Sequence, residues 1–234
     1  MNVIFIVPCR NAAGNLPALI NSVLAQQDQR WQIIMVDDCS TDSTWEVMQQ
    51  LASTDSRIEC RQNIYRCYAL QNIVTVAREF EEDPTAVVAV IDGDDQLCNP
   101  TAVGLLLNEY EDGADVVWTA HRWDINNMNI SRKMPDSVNP YQWPWSSSHL
   151  RTFRATLISR VSNKNFQDTL GQWFRRGYDQ ALMLPLLYIT NRRSFINEVC
   201  YLYNIESVSV DDRDWAEKGQ HGTINLVRAR GFLQ

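Results

Sequence analysis

Residues 86–97 read Ala86-Val87-Val88-Ala89-Val90-Ile91-Asp92-Gly93-Asp94-Asp95-Gln96-Leu97. The unbroken apolar run from Val87 to Ile91, rich in valine, is the pattern of a strand buried on both faces, as in a parallel sheet. Asp92, Asp94 and Asp95 then crowd the point where the strand leaves the sheet. Open α/β sheets bind ligands outside the carboxyl ends of their strands. Like charges this close repel unless a cation or hydrogen-bond donors sit among them. Hard divalent cations such as Mn²⁺ or Mg²⁺ take oxygen ligands and bind through carboxylates together with substrate phosphates. The plainer alternative is a solvated turn, because Asp and Gly are common turn residues.

Upstream, the same alternation repeats. Val3–Val7 is an apolar run closed by Pro8, and Leu16, Leu19, Ile20, Val23 and Leu24 recur at helical spacing. Trp31–Val36 predicts a second strand ending in Asp37-Asp38. Helix-capping residues follow, then an apolar face of Trp45, Val47, Met48 and Leu51. Arg57–Arg61 predicts a weak third strand, and Ala69–Phe80 a helix with Leu70, Ile73, Val74 and Ala77 on one side. Strands alternating with helices predict an α/β fold, a mostly parallel sheet covered by helices on both faces. Downstream, helices are expected over Asn99–Tyr110 and Tyr178–Leu187, and strands over Asp115–Ala120, Leu150–Ala155 and within Arg193–Asn204. Residues 121–148 are polar and irregular. Asp211–Gln220 reads as charged and mobile, and Thr223–Gly231 as a short last helix. The expected organisation is one domain of 1–234, with a change of character after residue 120.

The 234 residues are 45% hydrophobic, enough to bury a proper core, and the formal net charge is −7. That charge argues against nucleic acid or an anionic membrane as the main partner, although a local basic cluster could hold phosphates. The six cysteines form no CxxC pair and read as scattered thiols of a reducing compartment, so the expected location is cytoplasmic. No apolar run reaches the length of a membrane span. Met1-Asn2 leads straight into the first strand without a targeting segment.

Two strand ends, 37–38 and 92–95, carry carboxylates, and in a parallel sheet both lie on one edge. With VPCRN at 7–11, DDCSTDST at 37–44 and IDGDDQL at 91–97, the sequence resembles the family 2 glycosyltransferases of the GT-A fold. The match in order and spacing covers about the first hundred residues. NIYRCYALQN at 63–72 is similar to the family's helix before the DxD strand, but has Cys67-Tyr68 where a glycine is frequent. The resemblance implies a nucleotide-sugar donor, UDP being the commonest nucleotide in such enzymes, bound by a donor-side half of 1–120, and a glycan or other hydroxyl acceptor bound by an acceptor-side half of 121–234. It implies that Pro8 and Arg10 line the nucleotide pocket, and that Asp38, with Asp37 beside it, binds base or ribose. Arg66 and Asn72 join the donor site, as do Asp92 and Gly93. Asp94 is the implied metal ligand for Mn²⁺ or Mg²⁺, with Asp95 supporting it, and His221 has the sequence order of a histidine that completes the metal shell in several members. Independently of the family, a departing diphosphate is served by a divalent ion that neutralises its developing charge. For Asp37 and Asp38 the alternative is a helix-start carboxylate pair.

In the second half, SHLRTF at 148–153 resembles a segment found after the acceptor loop of many members, which would let His149 and Arg151 touch phosphate or acceptor. A buried histidine bonded to backbone is the other reading of His149. Asp179 in GYDQ at 177–180 matches the family's catalytic carboxylate, with Tyr178 where many members have Glu. An inverting transfer needs one general base to deprotonate the acceptor hydroxyl. Asp179 could instead be a helix cap, with Asp168 in reserve as the base. QWFRR at 172–176 resembles the QxxRW motif of processive synthases, but it ends in Arg and precedes Asp179. It reads as a coincidence, and a non-processive, single-sugar transfer is expected. Trp118, Trp123, Trp143 and Trp145 cluster in sequence, and exposed aromatics stack on sugar rings, so Trp143 and Trp145 are candidates for an acceptor platform. The alternative is that Trp118 and at least one other of the four are core. The competing functions are a non-catalytic nucleotide-sugar-binding domain and a DxD-type phosphotransferase. The latter wants its acidic motif on the first strand, not the fourth. A sugar-nucleotide pyrophosphorylase would need a Gly-rich phosphate loop, which Pro8–Gly14 is not. A dinucleotide dehydrogenase would need G-x-G-x-x-G.

Overall fold

Strand β1 (Asn2–Cys9) lies between β2 (Trp31–Asp37) and β4 (Ala86–Val90) and runs parallel to both. In this computed structural model, residues 1–205 and 210–234 are described, without the side chains of 210–218. β3 (Ile58–Gln62) extends the parallel set beyond β2. On the other side β7 (Arg151–Arg154) pairs antiparallel with β4, and β6 (Val116–Trp123) antiparallel with β7. β8 (Arg193–Tyr203) runs parallel to β6, and the two-residue β5 (Gln96–Leu97) closes the edge against it. The order is β3-β2-β1-β4-β7-β6-β8-β5 in one sheet.

Successive strand residues point to opposite faces, and here both faces are covered. Val3, Phe5, Val7, Ile33, Met35, Val87 and Ala89 form a core with α1 (Leu16–Leu24), α2 (Thr44–Ala52) and α4 (Ala102–Glu111). Ile4, Ile6, Ile34, Val36, Val88 and Val90 pack on the opposite face against α3 (Tyr68–Arg78), α5 (Tyr178–Tyr188) and Val227 of α6 (Val210–Arg230). Each fully buried valine or isoleucine contributes roughly 1.5–3 kcal/mol of transfer free energy. That is why these strands read as unbroken apolar runs and not as alternating ones.

The register places the acidic strand ends together. Cys9 stands opposite Asp37, and Ile6 opposite Val90. The Asp38 amide then donates to the Cys9 carbonyl at 2.8 Å. Asp38 and the 92–95 turn therefore share the carboxyl edge of the parallel strands. Gly93 is held there by close approach. A Cβ on it would stand 3.2 Å from the Pro8 carbonyl oxygen and 3.3 Å from Cys9 Sγ.

The structure departs from the expected elements in three places. β5 is too short to leave a periodic signal. Two 3-10 helices, Ala155–Arg160 and Asn163–Phe166, follow β7. The last helix is also longer than Thr223–Gly231, spanning Val210–Arg230. The segment 211–220, expected to be mobile, lies within this helix, and the side chains of 211–218 are outside the description. Among the described residues no helix is long and apolar enough to cross a membrane.

Candidate active site

A cavity of about 590 Å³ opens over the carboxyl edge. Pro8, Cys9 and Arg10 reach it from β1, Asp38 from β2, and Asp92 and Asp94 from the turn after β4. His149 and Arg151 come from the start of β7, Tyr178 and Asp179 from the start of α5, and Tyr203 from β8. Arg66, Tyr68, Arg175 and Arg176 complete one side of it.

Arg151 is 2% exposed, and its Nη2 donates to Asp92 Oδ2 at 3.0 Å and contacts the Tyr178 hydroxyl at the same distance. The Tyr178 hydroxyl donates to the other Asp92 oxygen, Oδ1. Asp92 is thus fixed from two sides. Asp95 is buried deeper. Its Oδ2 accepts from the Tyr201 hydroxyl at 2.7 Å and its Oδ1 from the Asn204 amide at 2.8 Å. Burial first, and then the charges of Asp92 and Asp94, push its pKa up to about 9. The Tyr201 hydroxyl in turn accepts from the Asp92 amide at 3.1 Å. Asp94 faces the cavity and also borders a second, smaller cavity with Asp95, Asp124 and Asn204.

His149 stacks on Tyr201 at 4.6 Å and on Tyr203 at 5.0 Å between ring centroids. Burial, with Arg151 and His121 nearby, holds its pKa well below the ordinary histidine value, so it is a neutral imidazole. Its Nδ1 is buried without a hydrogen-bond partner among the described residues. Ligand atoms of Asp92, Asp95 and His149 lie within 4.8 Å of one another. Two carboxyl groups and a neutral imidazole with an unsatisfied nitrogen suit a divalent cation once Asp95 gives up its proton, and Asp94, the ligand implied by the sequence, is not one of the three.

Asp179 follows Gly177-Tyr178 at the start of α5 and lines the cavity. Burial raises its pKa, with Arg151 opposing the shift. Gly177 is needed at its position. Its φ is +61°, and a Cβ would stand 3.1 Å from the Gln220 carbonyl oxygen of α6. The glycine lets α5 begin against α6 and so fixes where Asp179 points.

Several sequence candidates lie elsewhere. Asp37 is completely buried behind the edge, accepting from the Ser40 amide at 3.0 Å and from Gln62 Nε2 at 3.1 Å. Asp38 does border the cavity, but it also accepts from the amides of Cys67 at 2.7 Å and Tyr68 at 2.8 Å, where it caps α3. Asn72 is buried below it and accepts from Asn63 Nδ2 at 2.8 Å. His221 is exposed on α6 and outside the cavity lining, although its neighbour Gln220 is in it. Trp143 and Trp145 are half-buried against the core and do not line the cavity, and Trp118 is core. Asp168 lies in a turn, its Oδ1 accepting from the Leu170 and Gln172 amides at 2.8 and 2.9 Å.

Residues that sequence reasoning missed include Tyr201 and Tyr203, which the pairing of β8 with β6 and β5 brings to this edge. Arg175 and Arg176 had a signal, the QWFRR string, but not one that gave their position. Tyr68 adopts a left-handed φ of 64°, a conformation that favours glycine.

The glycosyl transferase family 2 model matches residues 4–182, so the chain belongs to that family. The putative teichuronic acid biosynthesis glycosyltransferase TuaG of Bacillus subtilis is 36% identical over 94 residues, 39% of this chain and 35% of that protein. The undecaprenyl-phosphate 4-deoxy-4-formamido-L-arabinose transferase of Pectobacterium carotovorum is 31% identical over 228 residues, 87% of this chain and 66% of the relative. The chain thus spans about one to two thirds of the length of these relatives. Among solved structures, S. aureus TarS 1-349 in complex with UDP superposes with a TM-score of 0.68 at 19% identity, covering 100% of this chain and 67% of that one. The mannosyltransferase PcManGT of Pyrobaculum calidifontis, in complex with GDP-Man and Mn²⁺, gives 0.62 at 17% identity, covering 95% and 63%. The fold is therefore that of the GT-A glycosyltransferases.

Proposed function

We propose that the chain moves one sugar from a nucleotide-sugar donor, a UDP-sugar in the first instance, to an acceptor hydroxyl, with inversion and without processivity. The observation that carries this reading is the convergence of Asp38, Asp92, Asp94 and Asp179 on one cavity at the carboxyl edge. Three belong to strand ends of the donor-side half, and the fourth starts a helix of the acceptor-side half. Complexes of TarS with UDP and UDP-GlcNAc, and of PcManGT with GDP-Man, support a nucleotide-sugar donor.

In this reading Pro8, Arg10, Asp38 and Arg66 surround the nucleoside. Asp92 and Asp94 face the diphosphate, and a Mn²⁺ or Mg²⁺ would be held by Asp94 together with Asp92, Asp95 and His149. Such an ion would supply neutralisation of the charge that develops on the leaving diphosphate. Arg151 orients Asp92 by its buried bond. Asp179 takes the proton from the attacking hydroxyl as the new glycosidic bond forms and the bond to the diphosphate breaks. Its raised pKa makes it a stronger base than an ordinary surface carboxylate.

The test is product formation from UDP-sugars with Mn²⁺, using donor hydrolysis as the readout while the acceptor is unidentified. Turnover that Asp179→Asn removes supports transfer. Nucleotide binding without turnover by the wild type would favour the non-catalytic binding domain.

A further inference from the structure

Arg66, Arg175 and Arg176 line the cavity together, and Arg176 is three residues before Asp179. The Tyr68 ring has the Arg66 guanidinium carbon 4.2 Å and the Arg175 guanidinium carbon 5.0 Å from its centroid. Two cations therefore share one aromatic ring. Arg66 Nε is 3.9 Å from Asp38 Oδ2, and the Asp38 oxygens already accept from Asn63, Cys67 and Tyr68. No ion pair joins Arg175 or Arg176 to a carboxylate among the described residues, and both are exposed to the cavity. Like charges brought this close are unfavourable unless an anion comes between or beside them. Tyr68 meanwhile holds a left-handed backbone that costs a non-glycine residue energy, a type of strain that clusters at ligand sites.

Charge counting points the same way. The cavity lining has Arg10, Arg66, Arg151, Arg175 and Arg176 against Asp38, Asp92, Asp94 and Asp179. A divalent ion would neutralise the two charges of a nucleoside-diphosphate sugar, so the donor complex leaves the basic surplus in place. Arg175 and Arg176 precede Asp179 in the segment leading into α5, and neither belongs to a donor strand end. Arginine is the side chain best shaped for phosphate.

We propose that Arg175 and Arg176, the former braced on the Tyr68 ring, bind a phosphate group of the acceptor. This rests on the transfer reading above and names its acceptor class: a hydroxyl compound carrying a phosphate near the attacking oxygen. That phosphate could belong to a soluble glycan or to a lipid headgroup.

The experiment uses the full chain and titrates two ligands by calorimetry in Mg²⁺. One is UDP on the unloaded protein, and the other is inorganic phosphate on the UDP-saturated protein. The wild type is expected to take up phosphate while UDP stays bound. The Arg175→Gln/Arg176→Gln double variant should lose phosphate affinity at least tenfold and change UDP affinity less than threefold. An equal loss of both would assign the arginines to the donor diphosphate and overturn the proposal, as would no phosphate uptake by the loaded wild type at tens of millimolar. Failure of the wild type to bind UDP at all would instead overturn the donor reading. Co-sedimentation with phosphatidylcholine vesicles containing phosphatidic acid, lost in the double variant, would place the phosphate on a lipid. Phosphate uptake without co-sedimentation would place it on a soluble acceptor.

Discussion

Arg151 and Asp92 form an ion pair of 3.0 Å between β7 and the acidic turn after β4, with the arginine side chain 2% and the aspartate 21% exposed. The pair joins the two halves of the chain inside the cavity. Asp92 is therefore both a strut and a candidate donor ligand. Removing one partner of a buried pair leaves the other charge uncompensated, which costs about 3–5 kcal/mol. Arg151→Met is accordingly expected to destabilise the fold by about 3 kcal/mol in urea unfolding. A loss below about 1 kcal/mol would show that Asp92 is held by Tyr178 and its own backbone instead.

Gly177→Ala tests the placement of α5. The alanine must hold a left-handed φ, at a cost of about 1–2 kcal/mol, with its Cβ only 3.1 Å from the Gln220 carbonyl oxygen. The variant should lose about that much stability and should also lose turnover, because Asp179 is two residues away. Unchanged turnover would detach the helix start from catalysis.

The two candidate bases separate cleanly. Asp179→Asn keeps shape and hydrogen bonding but cannot take the proton, so transfer or donor hydrolysis should fall roughly 10²–10⁴-fold with nearly unchanged UDP affinity. Asp168→Asn should leave turnover within about twofold, because Asp168 binds two amides of its own turn. Loss of activity confined to Asp168→Asn would move the base.

Turnover should also depend on pH in a defined direction. Burial raises the pKa of Asp179 above the ordinary carboxylate range. The base acts only when deprotonated, so the acid limb of kcat/KM should lie above the usual aspartate value. The stability contribution of this group has the opposite sense. It is fully present below the unfolded-state pKa and is lost as pH rises through the higher folded-state value. An acid limb at or below the ordinary value would contradict the assignment.

Much of the fold was legible in the sequence because buried parallel strands leave apolar runs, and Val3–Val7, Trp31–Val36 and Val87–Ile91 are all such runs. The strand ends at Asp38 and Asp94 followed from that pattern, since parallel strands share a carboxyl edge. What was not legible depends on pairings distant in sequence. Tyr201 and Tyr203 reach the site through β8 lying beside β6, and no local pattern encodes that. Asp37 has the same residue type as Asp38, which borders the cavity, but the pleat turns it into the protein, and Asn72 is buried on α3. Trp143 and Trp145 look like sugar-stacking residues in sequence, whereas the structure half-buries them against the core. His221 shares the chain order of a metal ligand, yet α6 leaves it exposed while His149 stands beside Asp92 and Asp95.

The central claim is that the acidic edge binds a nucleoside diphosphate together with a divalent ion. Calorimetric titration of UDP into the wild type and Asp94→Asn, each in Mn²⁺ and in EDTA, tests it most directly. The account predicts binding to the wild type in Mn²⁺, at least tenfold weaker binding in EDTA, and little difference between the two conditions in Asp94→Asn. Equal UDP affinity in Mn²⁺ and EDTA for the wild type would contradict it.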